Sequence, residues 1–376
     1  MPWKDVSLMD LRRDFVVLAE HGEIPLTDLC RRFGISPKTG RKWRARYAAE
    51  GRAGLENRSR RPHTSPTRTP PEVVAQIRIV ATAHPTWGGR LIRHRLLHLG
   101  IAPVPAASTI TEILRRDNLR PLAPAAAPLI RYNAEAPNER WQMDFKGWER
   151  ARTGRIIPFT VLDDQSRYLL VLEQTADGTL AAVQALLTDC FRRFGLPWQL
   201  LADNGPPWGS SHPKTLTAMD VWLLRLGIRP LHGRPLHPQT QGKLERLHKT
   251  LATDVFQGTS FATPEDAQPA LDAFRRVYNH ERPHTQHGFR PPADVYYPSP
   301  RPFPETLPPI LYDDAAQVRL VSGRGTIRYA GRTLFLSEAL TGLPVGVYPT
   351  LVDGVIRIQF CARTWTTIDL RTAERA

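Results

Sequence analysis

The sequence predicts a multidomain α+β protein: all-helical units at the N-terminus, a central α/β domain on a mixed sheet, and a small all-β barrel at the C-terminus. Three observations lead there. Up to residue 119, apolar residues recur at helical spacing between Gly and Pro stops, as in Leu8, Leu11, Phe15, Leu18 and Ala19 before Gly22. From residue 138 the texture changes to alternating strand patterns, then to strand and helix in turn. Beyond residue 310, six short alternating runs follow one another, separated by Gly, Pro and Asp. A length of 376 residues leaves room for several such units.

The elements follow in order. Residues 8–21 read as a helix and 25–33 as a shorter one. Gly34-Ile35-Ser36 then leads into a helix over 37–49, with Ser36 as N-cap and Pro37 at the first helical position. That last helix sets Lys38, Arg41, Lys42, Arg44 and Arg46 around Trp43 and Tyr47. Short helix, Gly-containing turn and basic helix is the helix-turn-helix pattern, whose second helix enters the major groove. Residues 1–56 are therefore expected to form one DNA-binding unit. A basic linker over 57–70 contains Arg60 and Arg61, which are expected to track phosphates. A second helix-turn-helix unit is expected over 71–120: Pro71 to His84, Leu91–Leu99, and a helix from Thr109 capped by Ser108. Pro- and Ala-rich residues 121–137 read as the interdomain linker.

The central domain, 138–262, opens with three strand patterns, Arg140–Trp148, Ile156–Asp163 and Tyr168–Gln174. Helix Leu180–Phe194, strand Trp198–Ala202, helix Thr215–Leu226, strand Ile228–Leu231 and helix Gln241–Phe256 follow. Residues 263–309 carry one more helix and a Pro-dense stretch, and 310–376 hold the barrel strands.

Charge narrows the partners. The net charge is +15, and residues 1–137 carry 23 Lys and Arg against 12 Asp and Glu. Residues 31–68 alone hold 12 basic and 2 acidic side chains. Concentrated cationic charge captures a polyanion with steep salt dependence. The sequence has no long apolar span and no basic amphipathic anchor, so nucleic acid is expected and membrane is not. Cys30, Cys190 and Cys361 lie far apart with no C-x-x-C, which supports neither a disulfide framework nor a zinc finger. They read as small apolar residues of a reducing compartment.

Three carboxylates organise the central domain: Asp144 in W-Q-M-D-F, Asp203 in L-L-A-D-N-G and Glu245 in Q-T-Q-G-K-L-E-R. One ends a strand pattern, one precedes a turn and one lies on a helix. Three carboxylates without a Cys or His cluster make a hard oxygen site suited to Mg²⁺ or Mn²⁺. Such sites break and join phosphodiesters. Asp163 and Asp164 are nearby acids expected to serve the hairpin with Ser166 and Arg167. Asn204 reads equally as a turn residue and as an orienter of Asp203. Lys243, Arg246 and Lys249 share the glutamate helix and are further candidates for DNA contact. Trp148, Trp208, Trp222 and Trp365 are expected in core or loop packing rather than as base-stacking platforms.

This order of strand-Asp, strand-Asp-Asn and helix-Glu resembles the ribonuclease H-like core, with its mixed five-stranded sheet, of retroviral integrases and DDE transposases. The words Leu162-Asp163-Asp164-Gln165-Ser166-Arg167-Tyr168, His237-Pro238-Gln239-Thr240-Gln241-Gly242-Lys243-Leu244-Glu245-Arg246 and Tyr278-Asn279-His280-Glu281-Arg282-Pro283-His284 sharpen the likeness to insertion-sequence 481 family transposases. The resemblance implies that Asp144, Asp203 and Glu245 are the catalytic residues and the ligands of two Mg²⁺ ions, with Mn²⁺ as a substitute. It implies 3′-end cleavage and strand transfer, a homodimer or larger assembly on double-stranded DNA (terminal inverted repeats and target), and a C-terminal barrel of the SH3-like kind. Residence in the bacterial cytoplasm, on the nucleoid, follows from the same likeness. Two features depart from the family pattern: 41 residues separate Asp203 from Glu245, and Gln241-Gly242 replaces Asn-Gly. The surplus is expected in a tolerant loop, Pro206–Pro213. The competing readings are a DNA-binding regulator on an inactive integrase-like core and a nuclease of RNA–DNA hybrids.

Overall fold

The computed structural model describes residues 8–58, 69–119, 134–209, 215–233 and 242–372. Arg60, Arg61, most of both expected linkers and the His237–Gln241 approach to the glutamate helix lie outside the described residues. The chain divides into two compact units, Met1–Arg68 and Thr69–Ala376.

The first unit is three helices, α1 (Leu8–His21), α2 (Leu26–Arg32) and α3 (Pro37–Glu50), closed by a 3₁₀ turn over Gly51–Leu55. Ser36 caps α3 as the sequence predicts, its Oγ accepting from the Thr39 amide at 3.2 Å with Pro37 at the first position. Phe15, Val16, Leu29, Cys30, Trp43 and Leu55 form the core. The helices cross closely at Gly40, where a Cβ would lie 2.5 Å from Cys30 Sγ and 2.8 Å from the Phe15 ring.

The second unit begins with another helical trio, α4 (Pro71–Ala83), α5 (Gly89–His98) and α6 (Ala107–Arg116), around Ile77, Trp87, Ile92, Leu96 and Ile110. Helix α6 starts two residues earlier than Thr109, and its N-cap residue Ala106 gives no side-chain hydrogen bond, so Ser108 is not the cap. This trio docks on the segment that follows the central domain. Glu281 pairs with Arg95 at 2.9 Å and lies 3.7 Å from His84, and the His94 ring stacks 3.6 Å from Phe289.

The central sheet contains β1 (Arg140–Phe145), β3 (Gly154–Asp163), β4 (Leu169–Thr175), β5 (Gln199–Ala202) and β6 (Arg229–His232), ordered β4-β3-β1-β5-β6. The first three strands are antiparallel neighbours, while β1, β5 and β6 run parallel. This is the mixed five-stranded sheet the sequence predicts. It gains a short sixth strand, β2 (Glu149–Ala151), paired to the start of β3. Side chains alternate between two cores. Trp141, Met143, Phe159 and Val161 face helices α7 (Leu180–Phe194) and α8 (Ala218–Arg225). Leu162, Leu169 and Leu172 face α9 (Gly242–Leu251) and α10 (Gln268–His280). Helix α9 ends in a π-type turn over Ala252–Phe256.

The C-terminal strands number six, as the sequence predicts, but they do not close into a barrel. Strands β7 (Gln317–Leu320), β10 (Pro344–Pro349), β11 (Val355–Phe360) and β12 (Arg363–Asp369) form one antiparallel sheet, β12-β11-β10-β7. Strands β8 (Thr326–Tyr329) and β9 (Arg332–Phe335) form a separate hairpin. The physical reason is visible in the core: Val221 and Leu224 of α8 share one apolar cluster with Val345, Val347, Ile356 and Ile358. A helix covers the face that ring closure would otherwise have to bury.

Candidate active site

Strand β1 is the centre of the sheet, and Asp144 sits near its C-terminal end, paired to Thr160 of β3. Asp203 follows the last residue of β5. The parallel β1–β5 register sets Arg140 beside Gln199 and Gln142 beside Leu201. Continued by two positions, it sets Asp144 beside Asp203, at the carboxyl ends of neighbouring parallel strands, where open α/β sheets place their functional groups. Glu245 comes from α9, whose Leu244, Leu247 and Leu251 are buried in the second core. The helix periodicity leaves Glu245, Arg246 and Lys249 exposed.

Electrostatics ties the three together. The Asp144 carboxyl is pushed up to about 7, first by burial, then by the Asp203 charge, with a smaller contribution from Glu245. Among the described residues, no three His, Cys, Asp or Glu groups are gathered tightly enough to grip one ion. The trio therefore converges in charge without being collapsed into a cage. Its donor set, hard carboxylate oxygens with mutual repulsion that a divalent cation would relieve, fits Mg²⁺.

Each carboxylate is held by its neighbours. Asp203 Oδ1 accepts from the Trp208 indole Nε1 at 2.7 Å and from the Gly205 amide at 3.1 Å, which leaves Oδ2 outside both bonds. Trp208 is fully buried, stacked on Phe145 with centroids 5.1 Å apart. Residues 210–213 of the expected Pro206–Pro213 loop lie outside the described residues, and the described part is surface only in places. Trp208 enters the core from it, and the Trp208 carbonyl accepts from Thr217 Oγ1 at 2.9 Å. His232 faces the Asp203 carbonyl at 3.2 Å through Nδ1 and the buried Asp220 at 2.8 Å through Nε2. The Asp220 hydrogen bond raises His232 against its desolvation.

A second link runs from β1 to the glutamate helix. Thr160 Oγ1 donates to the Asp144 carbonyl at 2.8 Å and lies 2.9 Å from His248 Nε2. Burial and the Lys146 charge push His248 down to about 4, so its imidazole is neutral. His232 and His248 were not singled out in sequence, and Trp208 was expected there only as packing, which its burial bears out without revealing the hydrogen bond to Asp203.

The remaining sequence candidates divide clearly. Asp163 and Asp164 are fully buried and structural. Asp163 accepts from Ser166 N and Oγ at 2.7 and 2.6 Å and from Asn138 N at 2.7 Å. Asp164 accepts from Ala134 N at 2.6 Å and from Gln142, and forms an ion pair with Lys243. Lys243 is pulled inward by that pair, and burial lowers it to about 8. Asn204 Nδ2 donates to the Gly233 carbonyl at 2.7 Å, a turn-fixing role. In the N-terminal unit Lys38, Arg41, Lys42 and Arg44 all lie exposed on α3. Cys30 and Cys190 are buried free thiols, and Cys361 is half-buried. Trp222 and Trp365 pack against cores, whereas Trp148 is 57% exposed, contrary to the packing role its sequence suggests.

Comparisons with known proteins agree with this layout. Residues 134–238 and 226–292 match integrase core domains, and 316–376 match the C-terminal domain of insertion-sequence 481 family transposases. Residues 11–63 match a helix-turn-helix domain and 39–114 a homeodomain-like domain. The chain is 28% identical over 251 residues to the insertion element IS476 uncharacterized 39.2 kDa protein of Xanthomonas euvesicatoria, covering 64% of this chain and 69% of that one. It is 27% identical over 187 residues to the Gag-Pol polyprotein of avian reticuloendotheliosis virus. That match takes in 43% of this chain but only 15% of the polyprotein's length. Among solved structures, the catalytic core of BIV integrase is 25% identical at a TM-score of 0.33, covering 42% of this chain and 93% of that one. A simian T-cell lymphotropic virus intasome chain is 17% identical at a TM-score of 0.38, covering 77% and 97%. The chain is thus an integrase-core protein that carries helix-turn-helix domains. These matches together support an integrase-like transposase of the insertion-sequence 481 family. No helix among the described residues is long and apolar enough to cross a membrane.

Proposed function

We propose that this protein is a DDE transposase that binds the ends of its element, cleaves at the 3′ ends and transfers the resulting hydroxyls into target DNA. The observation that supports this reading best is the parallel β1–β5 register that sets Asp144 beside Asp203, together with the Asp144 carboxyl raised by burial, by Asp203 and, least, by Glu245. The three carboxylates would hold two Mg²⁺ ions, with Mn²⁺ able to take their place. When bound, the metal supplies charge neutralisation at the phosphodiester and a more acidic attacking oxygen.

The protein's own residues do the positioning, the main demand that phosphoryl transfer places on a protein. Trp208 fixes Oδ1 of Asp203 and leaves Oδ2 directed by that constraint. His248, neutral and tied to Thr160, holds the glutamate helix against β1 without adding positive charge. Lys243 anchors the start of the same helix on Asp164. In strand transfer the DNA 3′-hydroxyl attacks phosphorus, one P–O bond forms as another breaks, and the displaced target 3′-hydroxyl takes up a proton. No protein–DNA covalent bond is required.

The exposed basic face of α3, with Lys38, Arg41, Lys42 and Arg44, supports end binding, and Arg246 and Lys249 line the glutamate helix for phosphate contact. Two ends must react together, which favours a homodimer or larger assembly on DNA. The test is incubation with Mg²⁺, a labelled element-end duplex and a supercoiled plasmid, beside Glu245→Gln. Joined product from the wild type alone is expected. Joining by the variant would refute the assignment, and specific end binding without cutting in any metal would leave a DNA-binding regulator.

A further inference from the structure

Strand β1 does not stop the chain's course at Asp144. It runs on through Lys146-Gly147-Trp148 into the β2–β3 hairpin, so Trp148 lies four residues past the carboxylate and at most about 14 Å from it along the backbone. Residues 146–155 carry Lys146, Arg150, Arg152 and Arg155 against one acid, Glu149. Glu149 is already taken by Lys146. Arg150, Arg152 and Arg155 form no ion pair among the described residues.

Three features make this hairpin a built surface. Its inner face, Ala151 and Ile156, packs in the same core as Leu244, Leu247 and Leu251 of the glutamate helix. Its tip is tied down by Arg152 N donating to Phe261 O at 3.0 Å and Thr153 N and Oγ1 donating to Ala262 O at 3.1 and 2.9 Å. On the outer face Arg150 and Arg155 are direct cross-strand partners. Two like charges opposite each other destabilise a hairpin, and a polyanion laid across them turns that repulsion into attraction. Beside them Trp148 is 57% exposed, with the Arg155 guanidinium 4.8 Å from its ring centroid. An exposed indole backed by cationic side chains is the arrangement with which proteins hold single-stranded nucleic acid, base on ring and phosphate on arginine.

We propose that the β2–β3 hairpin is a DNA-strand platform in which Trp148 stacks on an unpaired base next to the reacting phosphodiester while Arg150, Arg152 and Arg155 hold the phosphates beside it. The inference rests on reading Asp144, Asp203 and Glu245 as the reacting centre. It gives the protein a preference for DNA that is melted at the reacting position.

The test uses the full chain and two probes: an element-end duplex with a frayed terminus carrying 2-aminopurine, and the same duplex fully paired. The wild type is expected to bind the frayed probe more tightly and to quench its 2-aminopurine. Trp148→Ala is expected to weaken binding to the frayed probe about five-fold or more, the scale of one base–aromatic stack, and to leave the paired probe unaffected. Trp148→Phe, which keeps a ring, restores most of the preference. Arg150→Gln with Arg155→Gln should weaken both probes and flatten the logarithmic salt dependence by roughly 1.4, two single-strand phosphate contacts. If the wild type joins DNA but Trp148→Ala matches it on the frayed probe, the platform is refuted and the transposase reading stands. If the wild type neither binds nor joins either probe, both fall together.

Discussion

The Trp208–Asp203 hydrogen bond offers the sharpest handle on the site. Trp208→Phe keeps an aromatic ring against Phe145 and Phe159 but removes the indole N–H that reaches Oδ1, a bond of 2.7 Å to a carboxylate. Hydrogen bonds to charged groups contribute about 1.5–3 kcal/mol. With each 1.4 kcal/mol equal to about a factor of ten in rate, their loss should slow strand transfer by roughly ten- to a hundred-fold. The defect should fall on the chemical step, because the residue touches no basic surface and the variant should bind end duplex normally. Single-turnover joining measured across a Mg²⁺ titration separates the two contributions. A loosened carboxylate predicts a lower plateau and a higher half-saturating Mg²⁺ concentration. A variant that is folded by circular dichroism and joins at the wild-type rate at every Mg²⁺ concentration would show that Trp208 is mere packing.

Other outcomes follow from the same structure. Gly40→Ala forces a methyl against Cys30 and Phe15 and should destabilise the N-terminal unit by about 1–3 kcal/mol, read as a lowered urea midpoint and weakened end binding. His248 is held near 4 in the fold against an ordinary value of 6.5. The unfolded chain therefore binds the extra proton, and stability should fall as pH drops from about 6.5 to about 4, by at most about 3 kcal/mol. His248→Gln should flatten that part of the pH profile of urea unfolding. Removing Lys243 as Lys243→Met leaves Asp164 buried without its cation, and a loss of about 3–5 kcal/mol is expected by chemical denaturation. If Lys243 instead served only DNA, that variant would unfold like the wild type.

Much of this protein is legible in its sequence, and the limits have physical causes. Helix α7 is read correctly at both ends because Thr179 caps it, with its Oγ1 accepting from Ala182 N at 3.3 Å, and Gly195 stops it. The approach of Asp144 to Asp203 follows from strand order, since both end parallel neighbours. What sequence hides is what depends on long-range packing. Nothing local marks Trp208 as buried and Trp148 as exposed; both follow an Asp at the end of a strand by a few residues. The difference lies in distant partners: Trp208 meets Phe145 and Asp203, whereas Trp148 meets the Arg155 guanidinium on an exposed face. The expectation of a closed barrel fails for a related reason. Strand periodicity reports which face is apolar, and here α8, far off in sequence, covers it.

The amide side chains on α10 have a consequence for the chain's divisibility. Asn279 Oδ1 accepts from Leu169 N at 2.8 Å and its Nδ2 donates to Leu169 O at 3.0 Å. Gln268 answers Gln174 N at 2.8 Å and Leu172 O at 3.2 Å. The two side chains mimic a missing strand along the outer edge of β4. A fragment cut at Ala262 would uncover that row of donors and acceptors, a template for sticking to its own kind. Anyone isolating the central domain should therefore carry the chain past His280, and any second copy must dock somewhere other than this margin of the sheet.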